Sequence, residues 1–218
     1  DLKDYPERFH DPLAMWESEM DRAEPVIDWP TDGIPCIRPN LGVIFVPSMA
    51  GLPYRLPEGS MPWPGRPLSR DAIRAAQVIT VPASETMILA MEFYMTHLES
   101  GRDDIIAYQA DNQGIFDIAH LLYGEQLFYD LANPEAAPWL KELFQRCHEF
   151  YAVSTIQIKG ILDEPLDGMI HGHGTPQGVY FPHTGTRCSE DTVTLISPEM
   201  IDRIILPETN RLAQTFGG

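Results

Sequence analysis

Apolar positions along the chain follow two periods in alternation. Over residues 11–23, "DPLAMWESEMDRA", Asp11 stands where a cap belongs and Pro12 in the first turn, which predicts a helix. Ser84 is placed to cap "ETMILAMEFYMTHLES", where Ile88, Met91, Met95 and Leu98 recur at helical spacing before Gly101. Another helix is expected from about Gly114. Asn133-Pro134 opens a longer one, with Trp139, Leu140, Leu143, Phe144, Cys147, Phe150 and Tyr151 on one face and an end near Gly160. Ser197-Pro198 caps the last, which Pro207 should kink or divide. Between these lie short strand-like runs bounded by Gly and Pro: "GIPCIRP", "GVIFVP", "DDIIAYQ" and "LDGMIHGHG".

Helices of this length alternating with short strands point to βαβ units and a mainly parallel sheet. The fold class expected is α/β, either a (β/α)8 TIM-barrel type or an open doubly wound sheet. No GxGxxG or GxxxxGK[ST] follows any strand, so no dinucleotide or triphosphate cradle is indicated, and the barrel is preferred. Residues 47–67, with six prolines, cannot pair as a central strand and read as a long surface loop, a lid or a site wall. The opening at Asp1 and the closing "FGG", which reads as a helix end ahead of another strand, suggest part of a longer polypeptide.

Charge narrows the partners. Lys+Arg number 15 against Asp+Glu 32, a net charge of -17, which disfavours nucleic acid and anionic membrane surfaces. A small molecule or a protein is the expected partner. Cys36, Cys147 and Cys188 are sparse and form no CxxC pair, so free thiols in a reducing compartment, the cytoplasm, are expected. No stretch approaches the roughly 18 apolar residues of a membrane helix.

Two segments could carry chemistry. Gln109, Asp111, Asn112 and Gln113 follow the "DDIIAY" strand, at the end where barrel sites are built, and would line a substrate. The competing reading is that Asp111 or Asn112 caps the next helix. In residues 167–191, His171 and His173 stand two apart and would point the same way from a strand. They can contact substrate or, with His183, Cys188, Glu190 and Asp191 nearby, hold a metal ion. Arg38 and Arg187 suit a substrate carboxylate, against salt bridges to one of the many acids. With no histidine fixed beside it, Cys188 is a poor nucleophile. No GxSxG, HExxH or glycosidase-like carboxylate pair appears.

Three segments together resemble the uroporphyrinogen decarboxylase superfamily. "QGIFDIAHLLYG" is similar to its "QGPxxIAxxLxG" element, "SEDTVTLISPEMIDRIILP" to its "D…xLSPexfxefvlP" element, and "VIFVPSMAG" to a strand ending in a "VPxAxG" turn. The likeness covers residues 34–51 and 104–218 in the family's order.

The resemblance implies a (β/α)8 barrel of which residues 1–218 supply an incomplete part, without the C-terminal strands and helices. It also implies one of two chemistries. One branch decarboxylates tetrapyrrole acetate arms without a cofactor, stabilising a pyrrole cation with a carboxylate. The other moves methyl groups between a corrinoid and a thiol, using zinc held by a His-x-Cys motif and a later cysteine.

The decarboxylases' "RQAGR" motif is missing, and Gly42 stands where their catalytic aspartate aligns. The methyl-transfer branch is therefore nearer, with zinc and a corrinoid as cofactors of the full-length protein and a corrinoid protein or a second copy as partners. Asp191, His171 and His173 are the catalytic candidates, and either Glu190 or Asp191 is the family acid. A non-catalytic corrinoid- or porphyrin-binding protein is the third reading.

Overall fold

The computed structural model describes residues 4–218; Asp1, at which the chain opens, lies outside them. Two N-terminal helices, α1 (Tyr5–Phe9) and α2 (Pro12–Ala23), lead into β1 (Ile34–Ile37). Asp11 caps α2 as expected, its carboxylate accepting from the Ala14 amide at 3.0 Å. The chain then forms α3 (Phe45–Met49), a small hairpin of β2 (Tyr54–Arg55) and β3 (Trp63–Pro64), α4 (Arg70–Ala75) and α5 (Glu85–Ser100). Next come β4 (Ile106–Ala107), α6 (Ile115–Tyr123), α7 (Gln126–Leu131) and the long α8 (Ala137–Leu162). A second hairpin, β5 (Gly168–His171) and β6 (Gln177–Pro182), precedes α9 (Pro198–Met200) and α10 (Leu206–Phe216).

The main sheet has the order β4-β1-β6-β5 and curls into a half-barrel. β1 runs parallel to β4, pairing Cys36 with Ile106 and Ile37 with Ala107. Past β4 the chain continues extended, and Gln113 bridges in parallel to Ser189, with the Gly114 amide donating to the Ser189 carbonyl at 2.6 Å. Three parallel stretches, around Ile37, Ala107 and Ser189, thus follow one another in chain order with helices between them, as the alternation predicts. The departure is the β5–β6 hairpin, which joins β1 antiparallel through Ile34 and Gly178. "LDGMIHGHG" is a strand, but its Gly-rich end turns back: His173 takes a positive φ of 48°.

"GVIFVP" is not a strand. Residues 42–44 form a 3-10 turn that runs into α3, with Ile44, Phe45 and Val46 buried. A short apolar run cannot by itself be told from a buried helical turn. The face of α5 is also rotated from the expected one. Ile88, Met95 and Leu98 are exposed, while Met87, Ala90, Phe93, Tyr94 and His97 are buried. This stretch is apolar nearly all round, so spacing alone could not choose a face. Burying a large side chain contributes roughly 1.5–3 kcal/mol, and the aromatic pair Phe93 and Tyr94 decides it, helped by polar contacts. Tyr94 Oη donates to the Tyr108 carbonyl at 3.0 Å. His97 lies 2.9 Å from the Ile105 carbonyl and accepts from Trp16 Nε1 at 3.2 Å.

The buried face of α8 agrees with its periodicity from Trp139 to Tyr151, with Leu140 half-buried. Pro207 divides the last helix: a π turn over Ile201–Ile205 separates α9 from α10. Of the Pro-rich residues 47–67, Pro47 and Met49 belong to α3 and the remainder carries the β2–β3 hairpin. No helix among the described residues is long and apolar enough to cross a membrane. All three cysteines are free.

Candidate functional site

Side chains from three adjacent parallel stretches meet at the C-terminal end of the sheet. Arg38 follows β1, Asp111 follows β4, and Arg187 precedes Ser189. Arg38 Nη1 lies 3.0 Å from Asp111 Oδ1, and Arg187 Nη1 bonds the same oxygen. Arg187 Nη2 donates to Ser189 Oγ and, at 2.9 Å, to His173 Nδ1, which places the proton of that ring on Nε2. One carboxylate holding two guanidiniums leaves a net charge of about +1 in a chain that is strongly acidic overall. Burial raises the Asp111 pKa, but Arg38 and Arg187 outweigh it and the carboxyl is held below its usual range.

His171 adjoins this cluster, its ring 5.8 Å from that of His173 and edge-on to Tyr108 at 5.5 Å. Burial, then the charges of Arg187 and Arg38, push its pKa down to about 4. Its Nε2 is buried with no hydrogen-bond partner among the described residues.

Spacing did not reveal Tyr108, Glu19 or Arg22. Tyr108 is buried, lies under the Arg38 guanidinium at 5.9 Å and accepts from the Gly174 amide at 2.8 Å. On α2, Arg22 grips Glu19 through two 2.9 Å bonds and donates to the Gly174 carbonyl at 2.7 Å. These groups brace the β5–β6 turn from a helix more than 150 positions away in sequence. No local motif could announce that.

The other expected site residues are placed differently. Gln109 is buried and donates to the Gly185 carbonyl at 3.0 Å and to Glu164 at 3.3 Å. Asn112 donates to Thr155 on α8 at 3.0 Å, and Gln113 is buried beside the Ser189 bridge. Asp191 is exposed and bonds through its backbone: the amide donates to Asp117 at 2.8 Å and the carbonyl accepts from Thr194 Oγ1 at 3.0 Å. His183 is exposed with a φ of 66°. Burial, aided by Glu190, pushes the Cys188 thiol up to about 11, so it is a poor nucleophile. Among the described residues, no group of three or more His, Cys, Asp and Glu is arranged to hold a metal ion.

Neither Asp111 nor Asn112 caps α6. That task falls to Glu190, whose two carboxylate oxygens accept from the Phe116 and Asp117 amides at 3.2 and 3.0 Å. Asp117 in turn accepts from the Asp191 and Thr192 amides, both at 2.8 Å. The two βα loops are thereby locked reciprocally. A Cβ at Gly114 would stand 2.1 Å from the Glu190 carboxylate, so a larger residue there would displace this cap.

Burial pushes Glu190 up to about 7 despite these amide bonds. Between the ordinary glutamate value near 4.3 and that value, the folded chain holds a proton that the unfolded chain has released. Stability therefore falls as pH rises through this window and levels off above it. Urea midpoints measured from pH 5 to 8 are expected to decline, and Glu190→Gln to flatten the decline. An unchanged slope in the variant would assign it to another group.

A mixed α/β half-barrel with its polar cluster at the C-terminal strand ends is what fold and site define. The fold is similar to that of a methyltransferase from Methanosarcina mazei, with a TM-score of 0.71 at 10% sequence identity. The match covers 97% of this chain and 56% of that one, so the chain spans little more than half the length of the neighbour. No protein-family model matches the sequence, and no curated protein matches it either.

Proposed function

We propose that the chain forms the first half of a (β/α)8 barrel of the uroporphyrinogen decarboxylase superfamily and that the protein works in its methyl-transfer branch, between a corrinoid and a thiol. One observation carries this reading: Arg38 and Arg187 converge on Asp111 at the strand ends, in a fold shared with a methyltransferase. A cluster of net positive charge attracts an anionic substrate group and opposes the pyrrole cation of the decarboxylase reaction. Gly42 argues the same way. It is buried with a φ of 66°, and a Cβ there would meet Pro62 at 3.2 Å, so a side chain at the position where the decarboxylases' carboxylate aligns would be strained.

The described residues do not themselves fit a zinc ion. His173 Nδ1 is engaged by Arg187, no third donor joins the two imidazoles, and two guanidiniums oppose a dication. In this reading the half-barrel binds and orients the substrate, whose anionic group the guanidiniums take.

Full-length protein mixed with methylcobalamin and a thiol is expected to turn over, followed by the cobalt absorbance. Arg187→Leu should raise the KM for the thiol about tenfold, the worth of one charge-assisted hydrogen bond. Turnover of uroporphyrinogen instead would favour the decarboxylase, and a bound tetrapyrrole without any turnover would favour a binding protein.

A further inference from the structure

Lined by none of the Arg38–Asp111–Arg187 cluster, a cleft of about 690 Å³ opens where the start of α8 meets the π turn and α10. That volume lies within the range of small-molecule sites. Its wall is mostly apolar, with Leu131, Leu140, Phe144 and Ile204 among its lining. Lys141 and Arg203 also line it.

Most other basic residues are committed to acceptors, as Arg70 is to Asp130, Arg102 to Glu24 and Lys159 to Glu164, while Arg55 and Arg66, which do not line the cleft, are not. Lys141 and Arg203 have no hydrogen bond or ion pair among the described residues. With 32 acids for 15 bases, carboxylate partners are in excess, yet both cations on this cleft remain free. The carboxylate that does line the cleft, Glu208, is held by Arg211 at 2.9 Å.

The π turn supplies a second, independent observation. Leu206 N donates to the Ile201 carbonyl five residues back, and Arg203 and Ile204 of this turn line the cleft. Such turns are rare, lie mostly inside α-helices and occur often at functional sites.

We propose that this cleft binds a small amphipathic anion: a carboxylate on an apolar body, its head against Lys141 and Arg203 and its tail over Phe144 and Ile204. The site is separate from the proposed methyl-transfer chemistry and does not depend on it. Decanoate, kept below its micelle concentration, is the probe, with decanol and decylamine as neutral and cationic counterparts, each titrated calorimetrically into full-length protein.

Decanoate is expected to bind at least tenfold more tightly than either counterpart. Lys141→Glu with Arg203→Glu should weaken it at least tenfold, and Ala137→Trp, which fills the cleft, should abolish it. All three positions are exposed, so unchanged melting curves will show that the variants fold. Equal binding of decanoate and decanol would overturn the proposal. So would binding unaffected by either variant, or binding to anionic vesicles with none to monomeric decanoate.

Discussion

Gly185→Ala is expected to destabilise the fold by about 4 kcal/mol, at the upper end of single-substitution effects. A Cβ at Gly185 would stand 1.6 Å from the Leu166 carbonyl oxygen and 2.6 Å from that of Phe216. Both obstacles are backbone, so neither can rotate aside. The Gly185 amide donates to the Phe216 carbonyl at 2.7 Å, and the Gly185 carbonyl accepts from Gln109 at 3.0 Å. The substitution therefore disturbs the end of α10 and the strand-end residues together. Gly160→Ala is the control: it lies within α8 with nothing within 4 Å of its Cβ, and should be neutral or stabilising by about 0.5–1 kcal/mol. Chemical denaturation of the two variants side by side decides the matter. Equal midpoints would mean that the loop at Gly185 yields at little cost.

The second large effect is expected at Asp111. Asp111→Ala leaves Arg38 and Arg187 as neighbouring like charges with their side chains only 12% and 19% exposed. Breaking a buried pair costs about 3–5 kcal/mol, and partial solvent access reduces this to about 2–3 kcal/mol here. Adding Arg187→Met to Asp111→Ala should recover more than half of the loss, because the second change removes the repulsion the first exposes. If the double variant is as unstable as the sum of the singles, the cluster is not coupled in this way.

The pH dependence has a definite sign. Because the folded pKa of Asp111 lies below its unfolded value near 3.9, its stabilisation is complete above that value and is lost as pH falls through the folded pKa. The acid limb of the stability curve should therefore be shallower in Asp111→Ala.

Part of the site was legible in the sequence. Strand-end position pointed to Arg38, Asp111, His171, His173 and Arg187, and the structure brings these five together. The alternative reading of each arginine, a salt bridge, is also what the structure contains, since both bond the one carboxylate of that cluster. Sequence position could not separate these roles, because a guanidinium that holds an internal carboxylate can still face a ligand. Gln109 and Asn112 share the loop with Asp111 but are tied to Gly185 and Thr155. Which way each side chain of a polar run points depends on partners that lie 43 and 76 positions away.

Local rules decided what local forces control. Asp11 and Ser197 act as caps, the apolar stripe of α8 is buried, and Pro207 interrupts the last helix, because capping, periodicity and a missing amide act within a turn or two of chain. The βα alternation likewise follows from where the two periods change over. Only the tertiary structure decided the rest. It turned α5 onto Phe93 and Tyr94, folded residues 42–49 as helical turns, and sent β5 back through β6, which lies against β1. It also gave the cap of α6 to Glu190, more than seventy residues downstream, and joined three strand ends into one charged cluster. Each of these outcomes depends on a partner remote in sequence, whose burial or charge outweighs the local preference.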